Sequence, residues 1–190
     1  MKRRLVSILV CAAVVTGLLT GATTVHAEEK RTIAVVTYSL AEEFGVDVIK
    51  GAEAKAEELG NIEIVYPDAA GDMQKSIAIV EDMTTQGVDA ICISPVDASA
   101  TIPYIEKARE AGIAVVNWDI EMDTEVDAKV LTDNFEGGVL GADYLVERMG
   151  DKGTVLIVDD LESVTSTYER NKGFEDRLKE IAPDVKVIRQ

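Results

Sequence analysis

Short apolar runs alternate with longer stretches of helical periodicity from about residue 32 to the end of the chain. The runs are rich in β-branched residues and nearly continuous, which is typical of parallel strands buried on both faces. In the stretches between them, apolar residues recur every three or four positions, and a glycine, a common helix stop, often follows. Strands are predicted at 32–38, 62–66, 90–94, 114–118, 128–132, 154–158 and 185–188, and helices at 44–60, 73–86, 99–111, 136–149 and 168–181.

Strands that alternate with helices in this way predict an α/β fold with parallel sheets built from right-handed βαβ crossovers. Residues 134–190 supply only two strands and two helices. A parallel sheet of that size leaves its edges uncovered. We therefore expect two sheets, of which the second is incomplete within these 190 residues.

The amino-terminal segment has the pattern of a secretory signal. Met1–Arg4 is basic, Leu5–Leu19 is almost unbroken apolar sequence, and Val25 and Ala27 are small residues at the positions that a signal peptidase reads. The apolar run is short for a membrane span. We expect cleavage after Ala27 and a periplasmic or secreted product; the alternative is an uncleaved amino-terminal anchor.

The chain is strongly acidic, with a formal net charge of −16. Removing residues 1–27 takes away three basic residues and no acidic one, which moves the net charge to −19. Nucleic acids and anionic lipids are polyanions, so this charge argues against both as partners. The cleaved chain would keep one cysteine, Cys92, within an apolar run, where it is interpreted as a small buried hydrophobic residue.

Sequence features of enzymes are lacking. The turn between Tyr38 and Phe44 contains no glycine, so it matches neither a dinucleotide-binding turn nor a phosphate-binding loop. No Gly-x-Ser-x-Gly motif occurs. The one histidine, His26, lies in the predicted signal, which leaves no imidazole base and no histidine metal site. We expect a binding protein that uses neither a cofactor nor a metal.

Ligands of open parallel α/β sheets bind outside the carboxyl ends of the strands. The loops at those ends offer hydrogen-bonding groups on Asp119, Asn134 and Arg170. They also offer aromatic faces on Tyr38, Phe44 and Trp118. Together these residues predict a cleft for a small polar solute.

Each of these residues has a structural alternative. Phe44 could be an apolar staple at a helix start, and Trp118 could belong to the core. Asp133 and Asn134 could cap the following helix. Arg170 could pair with Asp159 or Asp160, or lie on the surface.

Five segments resemble the type I periplasmic sugar-binding proteins, the group that includes ribose- and galactose-binding proteins. They occur in the order of that family and behind a secretion signal. The segments are the opening strand with Phe44 and Gly51-Ala52; Ile91–Pro95 (ICISP) with Asp97; Gly112–Asp119 (GIAVVNWD); Thr132–Gly138 (TDNFEGG) with Gly141; and Glu169–Phe174 (ERNKGF).

The resemblance implies two Rossmann-like lobes joined by a hinge, with the ligand in the cleft between them. By this likeness residues 28–132 form the amino-terminal lobe, and residues 133–190 form part of the carboxyl-terminal lobe. Asp119 matches an aspartate that binds sugar hydroxyls, Arg170 matches an arginine that reaches the sugar from the second lobe, and Phe44 matches an aromatic that stacks on the ring.

Several positions depart from the ribose-type pattern. Glu42 and Glu43 stand where Asn-Pro is usual, Gly45 replaces a second aromatic, and Ile120 follows Asp119 where ribose binders have arginine. We therefore expect a pocket that is more acidic and less cationic than that of a ribose binder. Another aldose, a polyol, an amino sugar or another cationic solute would suit Glu42 and Asp119 better than ribose.

The family likeness implies capture of a sugar or polyol for an ABC transporter, with docking on its membrane permease. The alternative is a periplasmic sensor subunit that signals to a membrane kinase or a chemoreceptor without transport. We expect a monomer in either case.

Overall fold

The computed structural model describes residues 29–190, so the predicted signal, residues 1–27, lies outside the described residues. No helix within residues 29–190 has the length and apolar character needed to cross a membrane. The strands are β1 (Arg31–Val36), β2 (Ile62–Val65), β3 (Ala90–Ile93), β4 (Ala114–Trp118), β5 (Ala128–Val130), β6 (Gly153–Ile157) and β7 (Val185–Arg189). The helices are α1 (Glu43–Leu59), α2 (Met73–Gln86), α3 (Ala98–Glu110), α4 (Asn134–Met149) and α5 (Thr165–Ile181).

The first five strands form one parallel sheet in the order β2-β1-β3-β4-β5. In the register of β1 and β3, Ala34 lies beside Ile91 and Val36 beside Ile93. All four side chains are completely buried, as expected for the inner strands of a sheet covered by helices on both faces. The predicted α/β class with parallel sheets is confirmed.

The chain after β5 forms a smaller layer. Strands β6 and β7 pair in parallel, with Val155 beside Val187, and α4 packs closely against α5. A small core of Ala142, Leu178 and Ala182 lies between the helices and the strands. We call β1–β5 with α1–α3 the five-stranded unit, and α4, α5, β6 and β7 the two-stranded unit.

Helix ends follow the local sequence with one exception. Asp97 caps α3 by accepting a hydrogen bond from the Ala100 amide at 2.8 Å. Asp133 caps α4 through the Glu136 amide at 2.9 Å, so Asn134 lies within the helix. Helix α5 begins at Thr165, three residues before the predicted start. Its first turn is rich in Ser and Thr, which gives no apolar periodicity to detect.

A segment of the two-stranded unit packs into the core of the five-stranded unit. Val164, just before α5, is only 5% exposed and belongs to the main apolar cluster. The Thr165 hydroxyl donates to the Glu121 carbonyl at 3.2 Å. These contacts bring the start of α5 against the loop that follows β4.

Candidate functional site

The carboxyl ends of β1, β3 and β4 border a cavity of about 140 Å³. The strand order reverses between β1 and β3, since β2 lies on one side of β1 and β3 to β5 lie on the other. At such a point successive loops leave the sheet in opposite directions and open a crevice. Thr37, Ser94 and Asp119, which come directly after these three strands, all line the cavity.

The two-stranded unit supplies the opposite wall. Asp160 comes from the loop after β6, and Ser166 and Thr167 come from the first turn of α5. Side chains of both units therefore surround one space. Its volume lies below the range of about 300–1,000 Å³ that is typical of sites for drug-sized ligands, so it suits a small solute.

Asp119 holds a backbone conformation that is rare for a residue with a side chain. Its φ is 60°, in the left-handed region, and such residues concentrate at functional sites. Its Oδ2 accepts a hydrogen bond from the Ser94 hydroxyl at 3.1 Å. Buried Asn117 secures the turn, donating to the Ile120 carbonyl and accepting from the Met122 amide, both at 2.9 Å. This network positions the Asp119 carboxylate at the cavity.

Two aromatic rings form an apolar part of the lining. The rings of Phe44 and Trp118 lie 5.9 Å apart with their planes inclined by 57°. Phe44 is 59% exposed at the start of α1, whereas Trp118 is 9% exposed at the end of β4. Aromatic faces of this kind can pack against the C–H groups of a sugar ring.

Two buried polar atoms belong to residues of this lining and lack partners. The indole N–H of Trp118 and the hydroxyl of Thr37 make no hydrogen bond within residues 29–190. Leaving a buried polar group unpaired costs about 1–3 kcal/mol, so native proteins rarely do so without a reason. A polar ligand or ordered water in the cavity would supply the missing partners.

The lining carries negative charge. Glu42, Asp119 and Asp160 all border the cavity. Burial raises the pKa of the Tyr38 phenol, and the charges of Asp160 and Glu42 raise it further. Within residues 29–190, no group of three acidic, histidine or cysteine side chains could hold a metal ion.

A second cavity of about 220 Å³ adjoins the first, with Asp119 and Ser166 in both linings. Asn134 lines this second cavity. Its side-chain oxygen accepts a hydrogen bond from the Arg170 guanidinium. Arg170 itself borders neither of these two cavities. Arg170 instead lines a third cavity of about 280 Å³ between α4, α5 and β6.

The structure thus brings all but Arg170 of the residues predicted from the sequence to two adjoining cavities. Tyr38, Glu42, Phe44, Trp118 and Asp119 line the first and Asn134 the second. Sequence reasoning did not select Thr37, Ser94, Asp160, Ser166 or Thr167. Thr37 and Ser94 could have been predicted as lining residues, because they follow buried strands directly. Ser166 and Thr167 reach the cavity only because α5 packs against the other unit.

A larger cavity, about 730 Å³, lies at the opposite end of the sheet. It is bordered by Ala114 at the start of β4 and by charged side chains of α3, including Glu106, Arg109 and Glu110. It lies at the amino ends of the strands, away from the crevice where α/β sheets bind ligands. We therefore assign the candidate site to the smaller cavity.

Comparisons with known proteins found similarity along most of the chain. The family model described as a periplasmic binding protein domain matches residues 33–190. A D-ribose/D-allose-binding protein of Pseudomonas aeruginosa is 36% identical, over 93% of this chain and 59% of the relative.

Two solved structures share the fold. An ABC transporter periplasmic solute binding protein of Actinobacillus succinogenes with bound D-allose is 30% identical, with a TM-score of 0.73 over 84% of this chain and 58% of that one. An ABC transporter solute binding protein from Agrobacterium vitis with bound D-fucose is 27% identical, with a TM-score of 0.79 over 83% and 56%. This chain spans a little more than half the length of these relatives.

Proposed function

Because the chain belongs to the periplasmic binding protein domain family, we propose that it captures a sugar or a related polar small molecule for uptake by an ABC transporter. The family indicated by the sequence motifs is confirmed, and membership implies a periplasmic location. Capture is reversible in this proposal, and no bond is made or broken. The matching relatives are named as binding proteins rather than enzymes.

The unpartnered Trp118 N–H and Thr37 hydroxyl carry the proposal. They provide a donor and a donor-acceptor group in a crevice that also contains the hydrogen-bonded Asp119 carboxylate. A solute rich in hydroxyl groups can satisfy all three at once, while Phe44 and Trp118 pack against its C–H face.

The relatives support the ligand class. The Pseudomonas protein is named for D-ribose and D-allose, and the two structures hold D-allose and D-fucose. In the proposal, residues 28–132 form one lobe and residues 133–190 part of another, and the ligand contacts both. Arg170 would act through Asn134, which it already binds.

A membrane permease is the proposed partner, and the predicted signal, with cleavage after Ala27, would provide the route of export. The sensor alternative, with a kinase or chemoreceptor as partner, uses the same cleft. Deleting the gene should abolish uptake of the labelled ligand if the protein serves transport. Unchanged uptake, together with lost transcriptional or chemotactic response, would favour the sensor.

Isothermal titration calorimetry of the purified full-length protein tests the proposal. The panel contains aldoses, polyols and amino sugars, each titrated at neutral pH. At least one should bind, and Asp119→Ala should weaken that ligand about 10-fold or more, because the charge-assisted hydrogen bonds of the carboxylate are lost. If no compound binds while circular dichroism shows an intact fold, the proposal is wrong.

A further inference from the structure

The charge of the candidate site is one-sided. Three carboxylates, those of Glu42, Asp119 and Asp160, line the first cavity, and they come from the loops after β1, β4 and β6. Within residues 29–190, no lysine or arginine side chain lines this cavity. These three carboxylates favour a ligand that carries a positive charge.

The nearby cationic groups are engaged elsewhere. Arg170 donates to Asn134, outside both cavities. Lys129 pairs with Glu121, a residue of the adjoining cavity, at 2.9 Å. That adjoining cavity adds Asp133 and Glu169 to its lining, and no lysine or arginine among residues 29–190 borders it. The negative field therefore extends across both cavities.

Two orphaned polar atoms belong to residues that line the first cavity, which supports a polar ligand there. Trp118 is 9% exposed and Thr37 1% exposed, and the indole N–H and the hydroxyl lack partners within the described chain. The indole N–H can only donate, so it calls for an acceptor such as a hydroxyl oxygen of the ligand. The ligand should therefore combine such acceptors with a positively charged group that can pair with the three carboxylates.

The aromatic pair favours an organic cation over a bare metal ion. An ammonium group near the faces of Trp and Phe gains cation–π attraction, and the rings of Phe44 and Trp118 both border this cavity. The acidic side chains of residues 29–190 form no group of three that could chelate one metal ion. The three carboxylates of the lining come from three different loops.

We propose that the preferred ligand is a sugar or polyol that carries a protonated amine, held among the carboxylates of Glu42, Asp119 and Asp160. This inference rests on the proposed function. The hydroxyl groups of the ligand pair with the Trp118 N–H and the Thr37 hydroxyl. Charge-assisted bonds between ammonium and carboxylate supply the selectivity over the neutral parent compound.

The test compares matched compounds by calorimetry at neutral pH. The affinities of galactosamine, glucosamine and 1-amino-1-deoxysorbitol are each compared with that of the neutral parent compound. The two hexosamines are also compared with their N-acetyl forms, which keep the other hydroxyl groups but carry no charge. The preferred amine should bind at least about 10-fold more tightly than its neutral partners. The preference should decrease as salt screens the charges.

Two variants locate the effect. Glu42→Gln and Asp160→Asn should each reduce the preference for the amine severalfold, and Asn at position 160 keeps an acceptor for the Leu161 amide that Asp160 now binds at 2.7 Å. Glu110→Gln removes the same charge at the opposite end of the sheet. This matched control should leave the preference unchanged.

Three outcomes count against the inference, and they differ in what else they overturn. If a neutral compound binds as tightly as its amine, the amine inference is wrong and the proposed function stands. If no member of the panel binds to the folded protein, the proposed function fails as well. A preference that persists in both Glu42→Gln and Asp160→Asn would likewise overturn the assignment to these carboxylates.

Discussion

At the scale of single residues, Asp159 joins three elements of the two-stranded unit. Its carboxylate accepts hydrogen bonds from the Arg189 Nε at 2.7 Å and the Asn171 side chain at 2.8 Å. Its backbone N–H donates to the Gln190 carbonyl at 2.9 Å. The end of β6, helix α5 and strand β7 therefore meet at this one side chain.

Desolvation of the Asp159 carboxyl opposes its ionisation. Hydrogen bonds from the Asp160 amide, Arg189 and Asn171, together with the charge of Arg189, outweigh that effect and lower the pKa of Asp159 below its usual value. A carboxyl whose pKa is lower in the folded than in the unfolded chain stabilises the fold above the unfolded pKa, about 3.9. That stability is lost as the pH falls through the folded pKa.

Asp159→Asn should therefore lower the free energy of unfolding at pH 7, and the difference from the wild type should shrink below about pH 4. Urea unfolding at a series of pH values measures this difference. Asp184→Asn, an exposed change shortly before β7, is the control for loss of one charge. A difference that stays constant from pH 7 to pH 3 would contradict the assignment.

At the scale of elements, the contact between α4 and α5 depends on two glycines. A Cβ on Gly138 would come within 2.0 Å of the Arg170 carbonyl oxygen and 2.7 Å of the Phe174 amide nitrogen. A Cβ on Gly173 would come within 2.1 Å of the Phe135 carbonyl oxygen. The two helix backbones are in direct contact at these points, so neither helix can carry a side chain there.

Gly138→Ala should destabilise the protein by about 3 kcal/mol, toward the upper end of the usual cost of overpacking, because backbone atoms must move. Gly137 is the matched control, since it lies in the same helix, is exposed and leaves at least 4 Å of open space around a Cβ added there. Gly137→Ala should stabilise by about 0.5–1 kcal/mol through helix propensity. Urea unfolding measures both, and equal effects would refute this view of the contact.

At the scale of the whole molecule, Val164 connects the two units beside the candidate site. It lies in the lining of the first cavity and in the main core, although it belongs to the loop after β6. A hinge motion that separated the units would withdraw this side chain from the core. In the proposed function, contact between Val164 and the core would favour a closed arrangement of the cleft.

Burying a valine side chain contributes about 1.5–3 kcal/mol. Val164→Ser removes part of this contribution to closure, so it should weaken binding of the ligand roughly 10-fold. Leu161→Ser is the control, since Leu161 lies in the same loop and is 69% exposed. Calorimetry measures the two affinities, with melting curves to verify folding. Equal affinities of wild type and Val164→Ser would show that Val164 serves the fold alone.

The order and class of the elements were accessible from the sequence because buried parallel strands leave continuous apolar runs and amphipathic helices leave periodic ones. The same reasoning predicted that the loops holding Glu42, Trp118 and Asp119 meet at one edge, since parallel strands share a direction. The cap at Asp133 was among the alternatives that the sequence offered, because capping depends on residues three positions apart.

Tertiary structure decided which of these side chains share a cavity. The start of α5, the burial of Val164 in the other unit and the bond between Arg170 and Asn134 depend on contacts between residues far apart in the chain. No local pattern records such contacts. The left-handed turn at Asp119 and the unpartnered Trp118 N–H arise in the same way. By itself the sequence determined the elements, the family and the acidic character of the loops; packing determined that three carboxylates and two orphaned donors face one small space.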